Sequence, residues 1–157
     1  MANASHPAAW ADFEANAPDL AAEAGALLHH GGGVGGFLST VRGDAPPRIH
    51  PVSVAIVAGG LYVFVLASAK RTDLELDGRF ALHAHLDPGV PRELSLRGRA
   101  RRVDDEAVRA AAIAVWPFEV DDSYTLFELR LERVIVGRRP SADDWPPTYT
   151  TWSAARA

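Results

Sequence analysis

Up to about residue 30 the apolar positions recur at helical spacing, and from Gly36 onward they alternate. Residues 8–30 read as helical: Trp10 and Phe13 mark one short turn, Pro18 takes a first-turn position, and Leu20, Leu27 and Leu28 follow at i, i+7 and i+8. Glycines from Gly31 end the helix, with His29-His30 at its close. Period two then predicts strands over 37–42, 48–57 and 61–66, joined by a turn at 43–47 and a tight Gly59-Gly60 hairpin. These three strands should be antiparallel. A short helix over 69–77, closed by Gly78, leads to strands at 80–86 and 93–103 linked by Asp87-Pro88-Gly89. A helix from Ala107 ends near Pro117, and a long strand covers 124–139, with Phe127, Leu129, Leu131 and Ile135 on one face. Six mainly antiparallel strands with flanking helices and no strand–helix–strand repeat predict a mainly β fold, a barrel or a sandwich, in one domain. Its parts are a helical segment over 1–33, the strands over 34–139, and a tail over 140–157. That tail carries Trp145, Tyr149 and Trp152, too aromatic for a solvated linker, and should pack on the body.

Composition narrows the partners. The chain has 157 residues and a net charge of −4, with arginines scattered among acids, so no basic excess exists to meet a nucleic-acid backbone. No cysteine is present, which excludes disulfides, thiolate metal sites and a cysteine nucleophile. No run of 18 apolar residues suggests a membrane span, and no basic segment with an apolar stretch opens the chain, so the expectation is a cytoplasmic protein.

Against that background Lys70 stands out as the only lysine, beside 15 arginines. It lies in Ser68-Ala69-Lys70-Arg71-Thr72-Asp73-Leu74, where a strand hands over to a helix capped by Ser68. Two cations in a first helical turn oppose the helix dipole unless an anion is bound there. The helix near Asp104-Asp105-Glu106 shows the expected polarity, so the rule is broken once and locally. Arg48-Ile49-His50-Pro51-Val52-Ser53 opens the second strand. Arg48 and His50 share a face at period two, and Pro51 places the strand at an edge or bulge with backbone groups free. The hairpin should bring the end of the third strand back beside this segment. Arg48, His50, Ser68, Lys70 and Arg71 would then converge into an anion site suited to a phosphorylated ligand.

Other motifs carry less. Gly31-Gly32-Gly33-Val34-Gly35-Gly36 satisfies G-x-G-x-x-G, but it follows a helix and precedes a strand, the reverse of a dinucleotide fingerprint, and reads as a flexible connection. His83 and His85 share a strand face without metal-ligand spacing, so no metal site is expected. No G-x-S-x-G surrounds Ser39, Ser53 or Ser68. Arg97, Arg99 and Arg101 alternate on a polar strand face, suited to solvent or to ion pairs in a dimer.

Taken in order, Phe37-Leu38-Ser39-Thr40-Val41, Pro47-Arg48-Ile49-His50-Pro51-Val52, Gly60-Leu61-Tyr62-Val63-Phe64, Ser68-Ala69-Lys70-Arg71, Asp77-Gly78-Arg79-Phe80-Ala81-Leu82 and Leu96-x-Gly98-x-Ala100 resemble the pyridoxamine 5′-phosphate oxidase-like split β-barrels. These are flavin- and deazaflavin-dependent oxidoreductases. The resemblance covers residues 8–152. It implies a six-stranded Greek-key split barrel, forming a homodimer with FMN, or alternatively F420, in grooves between subunits. Its phosphate contacts fall on Arg48, Ser68, Lys70 and Arg71. Backbone along Ile49, His50, Pro51, Val52 and Ser53, and around Val63 and Phe64, would line the ring, and the aromatic tail would cover it. Glu93 falls where relatives reach the cofactor from the partner subunit, and an acid there departs from the pattern. Residues 148–157 lack the Arg-and-His segment that grips substrate in the vitamin B6 enzymes, so pyridoxamine phosphate is not the expected substrate. The competing class is a non-enzymatic flavin- or haem-binding barrel, a carrier or sensor.

Overall fold

A computed structural model describes residues 6–30 and 33–155. Two helices open it, α1 (Trp10–Asn16) and α2 (Pro18–Leu28), followed by a two-residue strand β1 (His29–His30). Then come β2 (Gly33–Thr40), β3 (Arg48–Ser53), β4 (Ala55–Val57), β5 (Gly60–Val65), α3 (Ala69–Leu76), β6 (Arg79–Ala84), β7 (Arg92–Arg102), α4 (Glu106–Val115), β8 (Thr125–Arg138) and β9 (Thr148–Ser153). The six expected strands are all present. Three further ones arise because residues 48–57 divide into β3 and β4, because His29-His30, with His29 capping the end of α2 as expected, also pair with Gly33 and Val34, and because the tail forms β9.

The division of residues 48–57 makes the architecture. The sheet runs β2-β6-β7-β8-β5-β4, while β3 pairs with β2. One stretch of chain therefore touches both ends of the sheet and closes it into a ring of six antiparallel positions. Pairing with β2 runs from Arg48 to Ser53, the Val54 amide still donates to the Val34 carbonyl at 3.0 Å, and pairing with β5 begins at Ala55 opposite Tyr62. Beyond that crossover β3 and β5 diverge. The barrel is split there, and the split opens a cleft.

The glycine run is a packing device rather than a flexible connection, within its described part. A Cβ on Gly35 would lie 2.1 Å from the Val52 carbonyl oxygen, and one on Gly36 2.1 Å from that of His83. Only glycine lets β2 approach both neighbours so closely. Gly31 and Gly32 lie outside the described residues. The β4–β5 turn is centred on Ala58 and Gly59, both at positive φ (49° and 74°), one residue earlier than the glycine pair suggests.

Inside the ring, Leu38, Leu61, Val63, Leu82, Leu94, Leu96, Phe127, Leu129 and Leu131 are almost wholly buried, together with Trp10 and Phe13 of α1 and Leu20, Ala24 and Leu28 of α2. Alternate positions of β5 face the other way: Tyr62 and Phe64 pack with Ala112, Trp116 and Leu126 in a second, outer cluster beneath α4. The tail packs in part: β9 pairs with β8 and Trp152 lies 4.9 Å from Phe13, ring to ring, while Trp145 and Tyr149 stay exposed.

An ion cluster ties α2 to the far end of the barrel. Glu23 accepts from Arg138 Nε at 2.8 and 3.0 Å and from Arg92 Nη1 at 3.0 Å. The hydrogen bond from Arg138 holds the Glu23 carboxyl below its ordinary range. A depressed carboxylate contributes stability that is present above its unfolded pKa and lost as pH falls through the folded value. Glu23→Gln should therefore lower stability at pH 7 by about 1–2 kcal/mol. The gap between variant and wild type should close below roughly pH 4, as read by urea melts across pH.

Candidate functional site

The cleft left by the split has a volume of about 500 Å³. Its walls are β3 (His50, Pro51, Val52, Ser53), the end of β5 and start of α3 (Phe64, Leu66, Ser68, Ala69, Lys70), His85 beyond β6, and Trp116, Phe118 and Tyr124 from the segment between α4 and β8. Pro51 lies on a strand paired only with β2, as its missing N–H requires.

Lys70 stands at the mouth of α3. Ser68 caps this helix: its Oγ accepts the Arg71 amide at 3.3 Å, and its carbonyl accepts the Thr72 amide at 3.1 Å. The amides of Ala69 and Lys70 have no partner inside the helix, as at any helix start. No acidic residue sits in the first turn. Ser68 Oγ also donates to the Leu66 carbonyl at 3.0 Å, which fixes its hydroxyl.

The three cations that sequence reasoning grouped together divide. Arg48 Nε donates to Asp73 Oδ2 at 3.2 Å, and Arg71 Nε to Glu75 Oε1 at 2.9 Å. Asp73 is 1% exposed and also accepts from Thr40 Oγ1 at 2.9 Å, with Arg42 3.8 Å away. Two cations therefore have carboxylates of their own, and neither lines the cleft. Lys70 is different. It is half-buried, and among the described residues no carboxylate pairs with it. Partial burial pulls its ammonium pKa below the ordinary lysine range. His50, on the opposing wall, has an Nε2 that is covered and without a hydrogen-bond partner. Its pKa is lowered first by desolvation and then by the charges of Lys70 and Arg48. An anion bound in this cleft would favour the charged form of both groups.

Of the other expected residues, Pro51, Val52, Ser53 and Phe64 line the cleft beside His50, Ser68 and Lys70. Ile49 points outward and is 70% exposed, while Val63 faces the barrel core and is fully buried. Glu93 lies in a second, smaller cleft with Trp145 and Arg139; its carboxylate accepts from the Tyr149 hydroxyl and lies 4.0 Å from His83 Nε2. The tail contributes nothing to the first cleft within one chain, because β9 docks on β8. Among the described residues no cluster of potential metal ligands occurs.

Sequence reasoning missed the aromatic wall. Phe64 and Trp116 meet edge to face at 4.9 Å and Trp116 and Phe118 at 5.9 Å, while Phe118 and Tyr124 are tilted against each other at 6.1 Å. Arg109 of α4 fastens this segment, donating to the carbonyls of Tyr124 (3.0 Å) and Asp121 (2.8 Å) with its guanidinium 5.1 Å above the Phe64 ring. The signal was the Trp116-Pro117-Phe118 triplet, which closes the helix and so passes for a simple terminator.

No family model and no curated protein sequence matches the chain. Solved structures do. A NimC/NimA family protein from Clostridium acetobutylicum superposes with a TM-score of 0.59 at 16% identity, over 91% of this chain and 94% of that one. A FAD-binding protein from Mesorhizobium loti gives 0.60 at 19%, over 73% and 91%. A putative pyridoxamine 5′-phosphate oxidase from Listeria innocua gives 0.54 at 18%, over 69% and 90%. The chain thus has the pyridoxamine 5′-phosphate oxidase-like split-barrel fold, as the sequence resemblance implied. At these identities the likeness speaks for the fold alone.

Proposed function

We propose that this protein is a flavin-dependent oxidoreductase, a cytoplasmic homodimer that binds FMN with its phosphate at the mouth of α3. The observation that carries the reading is one cleft lined both by a half-buried Lys70 that has no carboxylate partner among the described residues and by His50, whose covered Nε2 has no hydrogen-bond partner there either. A phosphate fits this donor set, with the free amides of α3 completing it. Arg48 and Arg71 act one step back, through Asp73 and Glu75. F420, another phosphate-bearing redox cofactor, is the alternative for the same site. A flavin-type ligand also agrees with the FAD-binding neighbour.

When bound, the cofactor supplies the hydride chemistry. The chain's own residues do the rest. Lys70 and His50 hold the anionic end, the β3 backbone from Pro51 to Ser53 gives the ring an edge to lie against, and Phe64 closes the wall. The outer sheet face, with Phe37 47% and Ile49 70% exposed, is the surface offered to the second subunit. Glu93 would approach the site only across that interface.

An absorption spectrum of the purified protein tests this. Two flavin bands bleached by dithionite are the expected result. A single Soret-type band would instead mark the haem-binding alternative, and a colourless protein that takes up F420 would move the assignment to the deazaflavin.

A further inference from the structure

Two residues that line the same cleft each carry a covered side-chain nitrogen with no hydrogen-bond partner among the described residues: His50, through Nε2, in its basic part and Trp116, through Nε1, in its aromatic part. The first is absorbed by the phosphate reading. The second is not. Trp116 is 8% exposed, and its ring is held by edge-to-face contacts with Phe64 and Phe118, yet among the described residues its indole N–H has no acceptor. Buried tryptophan nitrogens normally find one. Phe118, 48% exposed, lines the cleft against the Trp116 ring, and Arg109 keeps the segment in place through two carbonyls.

We infer that this aromatic wall is the subsite for the second reactant, a flat aromatic carbonyl compound whose ring stacks on Phe118 and Tyr124 and whose oxygen accepts from Trp116 Nε1. Aromatic side chains give such a ring apolar contact, and the unmet donor gives it orientation. A carbonyl answers the donor where a hydrocarbon leaves it unsatisfied. Ligand entry shifts the partly exposed Phe118 ring, which keeps its face on the ligand while the Trp116 nitrogen is uncovered. The inference rests on the flavin reading in calling this ligand a reactant, but the binding it predicts is measured independently.

The test compares acetophenone with ethylbenzene, which share a ring and nearly a shape but differ in the acceptor. Binding to the protein as isolated is followed by saturation-transfer NMR. Wild type should prefer acetophenone by about tenfold, the scale of one good hydrogen bond. Trp116→Phe should abolish that preference while leaving ethylbenzene unchanged, and Phe118→Ala should weaken both. In wild-type protein, one of the four indole N–H resonances should move downfield with acetophenone only. Equal binding of the two ligands, no binding of either, or a Trp116→Phe variant that keeps the preference would overturn the inference. So would a Trp116→Phe loss confined to flavin affinity, since the wall would then serve the cofactor. Absence of a flavin with the acetophenone preference intact would sink the proposed function and leave this subsite standing.

Discussion

Replacing Lys70 by alanine should weaken FMN binding roughly 10- to 100-fold, the worth of about 1.5–3 kcal/mol for a hydrogen bond to a charged group. Riboflavin binding should change little. The contrast follows from position: Lys70 lies where the cleft meets the helix start, and only FMN carries the group it would hold. Arg71→Ala should have a much smaller effect, because Arg71 is already committed to Glu75 at 2.9 Å. The pH dependence has a definite sign. Lys70 is depressed in the free protein, so its charge is lost at lower pH than for an ordinary lysine, and the advantage of FMN over riboflavin should fade as pH rises through that range. Calorimetric titrations of both ligands against wild type and both variants read all of this. Equal losses for FMN and riboflavin in Lys70→Ala would contradict the phosphate assignment.

Asp73→Ala should destabilise the fold by about 3 kcal/mol, since it strands a buried hydroxyl and an arginine that both depend on one carboxylate. Thr40 is 1% exposed and donates to Asp73 Oδ2, as does Arg48, so α3, β2 and β3 meet at this one group. At roughly 2–4 °C per kcal/mol for a chain of this length, Tm should fall by roughly 6–12 °C. The variant has a second expected consequence. Arg48 is released beside the cleft, so FMN should recover part of the lost stability more effectively than it stabilises wild type. Thermal melts with and without FMN measure both. A variant as stable as wild type would show that the Thr40–Asp73–Arg48 contact contributes nothing.

The ring of six strands was legible because each strand carries its own alternation and each turn its own glycine or proline. The cap of α3 was legible too, since Ser68 and the misplaced cations are local features. The split was not. Val52, Val54 and Ile56 keep one inward phase across the change, and the apolar run 54–57 carries no turn residue to mark it; only the competing claims of β2 and β5 decide where the strand changes partner. For the same reason Arg48 looked free, its partner Asp73 lying 25 residues away on another element. Arg71 could have been read correctly, because Glu75 stands one helical turn on, the ordinary spacing for a surface pair. β9 was hidden by Pro146 and Pro147, which made the tail look irregular although Thr148–Ser153 pairs along its full length with β8.

The single lysine also offers the most direct test of the phosphate site. Lysine-selective ¹³C labelling gives one side-chain resonance, and its titration can be followed with and without FMN. Lys70 should titrate below the ordinary 10.5 in the free protein and show a marked rise once FMN is bound, with no such rise on adding riboflavin. A lysine that titrates at its ordinary value, or one that ignores FMN, would contradict the claim that Lys70 waits for a phosphate.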